Sequence, residues 1–267
     1  MTCACPIVLR NSFIFLQHLG DRTEQRLWDQ GIMTWEDFLA AQEVPGISPV
    51  KKRMHDQALL AAKAAYEARQ WRHFACALPK NQIWRLYPEC RDVAYLDIET
   101  TGLEVRSTVT VVGIHRCGKT TALIQGQTLT PEAIAKALEG AEMLSTFNGS
   151  LFDIPILNHH YPGAVPDIPH LDLRFAAKRA GLSGGLKKIE VQLGLKRPDD
   201  IVGINGFEAV LLWKQWTRFG DANALDRLVR YNIEDVANLP TVAEKVLARL
   251  MQKHRPQREV ASSNPLV

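Results

Sequence analysis

Two carboxylates separated by a single residue lie near the end of an apolar run that starts at Val93. Asp97 and Glu99 are two positions apart, and residues two apart in a β-strand point to the same face of the sheet. Neighbouring carboxylates repel each other and lose hydration, and a divalent cation that prefers oxygen ligands, such as magnesium or manganese, removes that penalty. The pair therefore indicates a metal site, although two acids on the solvent face of an amphipathic strand would have the same spacing.

A third acid, Asp153, follows the pair Asn148-Gly149, which is typical of a turn at the end of a strand. Pro155 suits the first turn of a helix that would begin at Asp153. The aspartate is a candidate metal ligand. An ordinary helix cap at the same place is the alternative.

A tyrosine and a fourth acid, Tyr231 and Asp235, are four residues apart on a predicted helix that begins near Asp221. Residues at this spacing share one helix face, with Cβ atoms about 6 Å apart. The phenol and the carboxylate could therefore reach the same point. A tyrosine that only packs on the helix surface is the alternative.

Together the three segments resemble the three sequence motifs of the DEDD superfamily of 3′–5′ exonucleases. They read DIETTGL from Asp97, NGSLFDIP from Asn148 and YNIED from Tyr231. Tyrosine four residues before the last aspartate is the mark of the tyrosine subclass, which includes the proofreading domains of polymerases. The stretch from Gly203 to Leu239 is similar to the bacterial YprB-like family of ribonuclease H-like exonucleases. The resemblance extends over residues 92–250.

The resemblance implies a catalytic group of Asp97, Glu99, Asp153, Tyr231 and Asp235. It implies that the four acids bind two divalent cations, Mg²⁺ or Mn²⁺, and that the enzyme shortens nucleic acid, single-stranded DNA more than RNA, from its 3′ end. Asp97 is expected to bridge the cations, Glu99 and Asp235 to complete the first site, and Asp153 to hold the second. Tyr231 is expected to orient the attacking water, because a phenol with a reference pKa near 10 is a weak base.

Five residues around the first two motifs are candidate substrate contacts: Thr100, Thr101, Leu103, Asn148 and Phe152. In the family the loop after the first acids lies near the terminal nucleotide, so Leu103 is expected against a base and backbone amides against phosphate. Phe152 could stack on a base, although a core position is the more usual one. Asn148 could equally serve only its turn.

Three further polar residues lie outside the motifs. Lys187 and Lys188 follow Ser183-Gly184-Gly185, so they could meet phosphate at a helix start, although a solvated helix face is the more usual place for such lysines. Asp172 either supports the site from a neighbouring position or caps the helix that follows it.

The elements that would position these residues are predicted from the hydrophobic pattern. Four β-rich runs predict strands: 93–98, 108–115, 120–125 and 143–147. The first three predict an antiparallel meander, and Thr130-Pro131 predicts the start of a helix. From Leu171 on, the chain is predicted to be almost wholly helical. This order is typical of a layered α/β fold. With the resemblance, it predicts a ribonuclease H-like core, a mixed central sheet flanked by helices.

The region before the strands is predicted to be helical. Thr23 and Thr34 can each cap a helix, Gly31 can end the first, and an Ala-rich basic stretch over residues 48–75 predicts a third. The chain is therefore predicted to divide into three parts: an N-terminal helical region over 1–85, the exonuclease domain over 92–253 and a flexible tail over 254–267.

The N-terminal region also resembles a helix-hairpin-helix element over Phe15–Thr23 and the residues that follow. Such elements present backbone amides to DNA phosphates without reading the sequence. His18 stands where the usual pattern has glycine, so packing as a helical cap is the alternative. Lys51, Lys52 and Arg53 could add phosphate contacts or be ordinary solvated surface.

The composition is compatible with this interpretation but does not require it. The 267 residues are 46% hydrophobic and 23% charged, and the net charge of +3 permits a nucleic-acid partner. No apolar run approaches the roughly 20 residues of a membrane span, so a cytoplasmic protein with no membrane contact is expected. The five cysteines fit no zinc spacing and are expected to be reduced thiols.

Three other functions are compatible with parts of the pattern: a non-catalytic nucleic-acid-binding module on the same fold, an endonuclease on that fold, and a structural or adaptor protein. The retained acids and tyrosine argue against the binding module, because clustered negative charge would repel phosphates. An endonuclease would differ in substrate access and would use the same ligands.

Overall fold

The computed structural model describes residues 9–198 and 203–254. Two compact units are present in these ranges. One comprises the described residues up to Glu89 together with the end of the last helix from Met251, and the other is Cys90–Leu250. The predicted tail beyond residue 254 lies outside the described residues.

The first unit is helical. Its elements are α1 (Asp21–Asp29), α2 (Trp35–Ala40), α3 (Pro49–Glu67) and α4 (Trp71–Ala77), with 3-10 helices at Leu9–Asn11 and Lys80–Glu89.

Helix caps explain these boundaries and correct one prediction. Thr34 caps α2 as predicted, because its hydroxyl accepts a hydrogen bond from the amide of Asp37 in a capping box. Thr23 does not cap α1, which starts two residues earlier after Gly20, a residue without a side chain to act as a cap. The Ala-rich stretch forms two helices because Arg69, with a φ of 53°, interrupts it.

The segment ahead of α1 differs from the helix-hairpin-helix pattern that its sequence resembles. Residues 12–20 form turns, a bend and irregular backbone, so no α-helix precedes the hairpin segment in the described chain. His18 has a φ of 63°, the left-handed conformation that favours the glycine of the usual pattern. The turn is therefore formed with a histidine in place of glycine and without the first helix.

A buried ion pair stabilises this unit. Arg85 donates from Nη2 to Glu24 Oε2 at 2.8 Å, and the two side chains are essentially inaccessible to solvent. Glu24 also accepts hydrogen bonds from the amide of Phe13 and the hydroxyl of Ser12. Because a buried charge without its partner is strongly destabilising, loss of either member would cost about 3–5 kcal/mol.

The second unit contains a mixed five-stranded sheet in the order β3-β2-β1-β4-β5. The strands are β1 (Val93–Thr100), β2 (Val109–Arg116), β3 (Lys119–Ile124), β4 (Met143–Thr146) and β5 (His170–Asp172). The predicted antiparallel meander of β1 to β3 is confirmed, and β4 and β5 add in parallel on the other side of β1. No strand was predicted at β5, because three residues are too few to show an alternating pattern. The elements that follow β5 in the described chain are helices, as predicted.

Helices cover both faces of this sheet, which confirms the predicted mixed sheet flanked by helices. They are α5 (Pro131–Leu138), α6 (Asp153–His160), α7 (Leu173–Arg179), α8 (Leu186–Gln192), α9 (Gly206–Phe219) and α10 (Ala222–Lys253). Thr130 caps α5 as predicted. Across the described ranges, no helix combines the length and the apolar character that crossing a membrane requires.

The alternation of β1 between the two faces sets the position of the acids. Ala94, Leu96 and Ile98 point into the apolar core that packs against α5 and α6. The intervening residues Asp97 and Glu99 therefore point to the opposite face. On that face α9 and α10 pack against the sheet through a separate apolar cluster.

Candidate metal centre

Three carboxylates from two elements converge beside the central strand. One oxygen from each of Asp97, Glu99 and Asp235 lies within 4.8 Å of the other two. The first two come from β1 and the third from α10, where Tyr231 and Asp235 share a helix face as the spacing predicts. Glu99 and Asp235 are only 7% and 5% exposed. Asp97 is partly buried, and such a compact set of oxygen ligands is the donor set that a hard divalent cation requires.

Asp153 lies next to this group but is held differently. It is buried at the first residue of α6, and its Oδ1 accepts a hydrogen bond from the amide of Ile98 at 3.1 Å. The helix cap position itself is occupied by Phe152, which makes no side-chain cap. The carboxylate of Asp153 therefore reaches β1 between the two acids of the strand, and ordinary capping does not explain its position.

Burial and mutual repulsion disfavour ionisation of these acids. Burial, together with the charges of the neighbouring acids, raises the pKa of Asp97 and of Glu99 well above the ordinary values. Burial also raises the pKa of Asp153 to about 7. A bound cation reverses this effect because it favours the ionised form of each ligand. The donor set and its electrostatics therefore fit a divalent metal.

An arginine that the sequence analysis did not single out neutralises part of the charge. Arg197 donates to both oxygens of Glu190, from Nε at 2.6 Å and from Nη2 at 2.9 Å. It also forms an ion pair with Asp235. All three side chains are buried. No local pattern identifies this residue, because its partner on α10 is distant in sequence.

Tyr231 contacts the same acid. Burial raises the pKa of the phenol far above its ordinary value, and so do the charges of Asp235 and the other nearby acids. Lys187 Nζ lies 4.5 Å from the centre of the Tyr231 ring, and burial lowers the pKa of this lysine. Lys187 therefore lies over Tyr231, and the alternative of a fully solvated helix face does not describe its position. The tyrosine is a neutral hydrogen-bond donor at this site.

Asn232 fixes the orientation of Asp97 and was also not singled out from the sequence. Its Nδ2 donates to Asp97 Oδ2 at 3.0 Å and to the Asp97 carbonyl oxygen at 3.3 Å. This approach requires Gly113, which pairs with Asp97 across β1 and β2. A Cβ at that position would lie 2.3 Å from Asn232 Oδ1. The signal available in the sequence was the three-residue spacing of Asn232 and Asp235 on one helix face.

The predicted substrate contacts after β1 differ in their exposure. Thr100 is buried, and its hydroxyl donates to the carbonyl oxygen of Gly102. Thr101 pairs through its amide and its hydroxyl with the backbone of Thr108. Leu103 is 88% exposed. The two threonines shape the loop, whereas the Leu103 side chain is open to solvent.

The two predicted contacts near the second motif, Phe152 and Asn148, also differ in their surroundings. Phe152 packs partly buried against the apolar core, in agreement with the core alternative. Asn148 adopts a φ of 69° and accepts a hydrogen bond from Arg174. Asp172 caps α7 and also accepts from the amides of Asn148 and Ser150. The turn that leads to Asp153 is therefore held to the end of β5.

The part of the chain that contains these acids matches a known family. The sequence model RNase_H_2, described as the RNase_H superfamily, matches residues 94–247. That range contains all four acids and is more than half of the 267 residues. No curated protein matches the sequence.

Solved structures that are similar to part of the chain include a polymerase and a nuclease. One is the family B DNA polymerase of the hyperthermophilic archaeon Pyrobaculum calidifontis, with a TM-score of 0.49 and 18% identity over 60% of this chain and 25% of the polymerase. The other is described as the apo form of a nuclease, with a TM-score of 0.46 and 20% identity over 63% of this chain and 77% of that one. The chain thus spans about a quarter of the length of the polymerase.

Proposed function

The chain belongs to the ribonuclease H superfamily, and from this membership and the site we propose that it is a metal-dependent 3′–5′ exonuclease acting preferentially on single-stranded DNA. The observation that supports the proposal most strongly is the convergence of Asp97, Glu99 and Asp235 within 4.8 Å. The motifs around these residues, which resemble those of the tyrosine subclass of DEDD exonucleases, are the basis for the polarity and the substrate.

Each acid has a proposed role that follows from its position. Asp97, Glu99 and Asp235 would hold one cation, and Asp153 would hold a second with Asp97 as the shared ligand. Two bound divalent cations supply Lewis-acid stabilisation for the attack on phosphorus and for the departure of the leaving oxygen. Asn232 keeps the Asp97 carboxylate in a fixed orientation through its amide.

The remaining residues act on water and phosphate. Tyr231 keeps its proton, so its hydroxyl orients the attacking water while it remains within reach of Asp235. Lys187 lies over the same ring and brings a positive charge close to the acids, where a phosphate would bind. The attacking water forms a bond to phosphorus and gives up a proton to solvent. The bond from phosphorus to the 3′ oxygen breaks, and this oxygen takes up a proton from solvent to become the 3′ hydroxyl of the shortened strand.

The substrate and the polarity are tested with matched oligonucleotides in Mn²⁺ and in Mg²⁺. We expect 5′-labelled single-stranded DNA to give a ladder of products shortened one nucleotide at a time, faster than duplex DNA or RNA. A phosphorothioate linkage at the 3′ end is expected to block the reaction, whereas one at the 5′ end is not. Cleavage of circular single-stranded DNA would instead assign an endonuclease.

A further inference from the structure

A groove of about 590 Å³ lies between the end of β4, helix α7 and the segment that leads into α8. We call it the α7 groove and define it by Phe147, Leu151, Arg174, Phe175, Lys178 and Leu186, which line it. Its volume is within the range of ligand-binding clefts, about 300–1,000 Å³. None of these six residues has a role in the proposed reaction.

Two parts of the groove lining are close in sequence to residues of the metal centre. Leu151 is two residues before Asp153, and Asn148 of the same turn also lines the groove. On the other wall, Leu186 is followed by Lys187, whose ammonium group lies over the ring of Tyr231. The groove therefore borders the two segments that carry Asp153 and Lys187.

The charges that line the groove favour an anionic ligand. Its lining includes Arg174 and Lys178 and contains no aspartate or glutamate. Arg174 donates to the neutral side-chain oxygen of Asn148, and no salt bridge in the described part of the chain engages Lys178. The two cations are thus available to phosphate, and single-stranded nucleic acid is bound largely by such contacts.

Two large apolar side chains of the groove are exposed to solvent, although folding usually buries such side chains. Leu151 is 64% exposed and Phe175 is 45% exposed, although both are large and apolar. Aromatic rings beside cations are the combination with which proteins bind single strands, because each base can stack on a ring while its phosphate meets a cation.

We propose that the α7 groove binds the single-stranded segment immediately 5′ of the bond that is cut. A base stacks on Phe175, and Arg174 and Lys178 contact the phosphates on either side of it. This assignment rests on the proposed exonuclease function. It explains a preference for single strands, because a paired base is not free to stack on the ring.

The test compares Phe175→Ala and Lys178→Ala with Lys119→Ala, which removes an exposed lysine at the opposite edge of the sheet. With single-stranded DNA, Phe175→Ala is expected to raise KM roughly fivefold to a hundredfold, the range of a lost base–aromatic stack, with kcat little changed. Lys178→Ala is expected to reduce the slope of log KM against log salt by about 0.7, the value for one phosphate contact on a single strand. Lys119→Ala is expected to change neither.

A second substrate distinguishes a defect in the groove from a defect in the metal centre. The p-nitrophenyl ester of thymidine 5′-monophosphate has the bond to be cut but no upstream nucleotide, so all three variants should hydrolyse it at the wild-type rate. Unchanged KM and salt slope with DNA in both groove variants would refute the groove assignment.

Binding of fluorescent single-stranded DNA, measured by anisotropy in an Asp97→Asn background, keeps the two proposals distinct. A folded wild-type protein that cleaves neither substrate refutes the exonuclease proposal. If the groove variants still weaken DNA binding in that case, the groove assignment stands without it.

Discussion

Gly113 and Asn232 show how single residues determine the geometry of the acids. The side-chain amide of Asn232 reaches both the carboxylate and the backbone of Asp97 only because no Cβ lies on the opposing residue of β2. Neither residue is an acid or a nucleophile, so a search for chemically reactive side chains does not find them. Their contribution becomes visible only once β1, β2 and α10 are placed together.

Replacement of Gly113 by alanine is therefore expected to displace Asn232 and to disturb Asp97. The added methyl group would lie 2.3 Å from Asn232 Oδ1. We expect a loss of about 1–3 kcal/mol in the free energy of unfolding and at least about a tenfold lower kcat, which corresponds to about 1.4 kcal/mol. Urea unfolding and cleavage rates measure the two effects.

The matched control is Gly206→Ala, since a Cβ at Gly206 would meet no atom within 4 Å. This variant should unfold and cleave like the wild type. An active, fully stable Gly113→Ala protein would contradict the role given to Asn232.

Ionisation of Asp153 should make the stability of the metal-free protein depend on pH. Burial raises the pKa of this carboxyl to about 7 from a usual value of 3.8. At a pH below the pKa of both the unfolded and the folded chain, Asp153 is protonated in both states. At a pH between the two pKa values, the carboxyl is ionised in the unfolded chain but still protonated in the folded one. The free energy of unfolding therefore falls as the pH rises through this range, and it levels off above the pKa of the folded chain.

We therefore expect the Tm of the chelator-treated protein to be lower at about pH 8 than at about pH 5.5, with a smaller difference in Asp153→Asn. Mn²⁺ should raise the Tm of the wild type more at the higher pH, because the ligands bind it in their ionised form. Differential scanning fluorimetry gives these values. An equal pH dependence in the two metal-free proteins would exclude Asp153 as its source.

Among the elements, those with long periodic patterns were predictable and the short or distant ones were not. The meander of β1 to β3 and the helix that carries Tyr231 and Asp235 follow from alternation and from i,i+4 spacing. β5 was missed because three residues show no period. The link from α8 to α10 through Arg197 could not be predicted, since Glu190 and Asp235 are 45 residues apart and no local rule pairs them.

This link is expected to contribute strongly to stability. Arg197→Leu would leave Glu190 and Asp235 buried without their charged partner, and we expect a loss of about 3–5 kcal/mol in the free energy of unfolding. The double variant Glu190→Leu with Arg197→Leu should recover part of this loss, because it removes one of the two acids that the single variant leaves unpaired. Urea unfolding gives the comparison, with the exposed Arg227→Leu as control. A double variant as unstable as the single one would show that the pair with Glu190 is not the cause.

The N-terminal unit contributes no residue to the proposed metal centre, and we propose that it contacts DNA. The basic stretch at the start of α3 is not uniformly solvated. Lys51 and Arg53 are exposed, whereas Lys52 is buried and pairs with Asp56 at 2.6 Å. Only the two exposed residues are therefore available to phosphate.

Charge reversal of Lys51 and Arg53 to glutamate should weaken DNA binding and lower its salt dependence, because two phosphate contacts would be lost. Hydrolysis of the p-nitrophenyl ester should be unchanged, since that substrate needs only the metal centre. Fluorescence anisotropy over a range of salt concentrations gives the affinity and its slope. Unchanged binding would assign the unit a purely structural role.

We propose above all that the protein hydrolyses phosphodiester bonds with divalent cations held by Asp97, Glu99, Asp153 and Asp235. The most direct measurement is the time course of cleavage of 5′-labelled single-stranded DNA in Mn²⁺, with and without chelator. Wild type is compared with Asp97→Asn, Asp235→Asn and Asp226→Asn, which alters an exposed acid on α10. We predict stepwise shortening by the wild type and by Asp226→Asn, and none with chelator or in the other two variants. Wild-type rates in a folded Asp97→Asn or Asp235→Asn protein would contradict the claim.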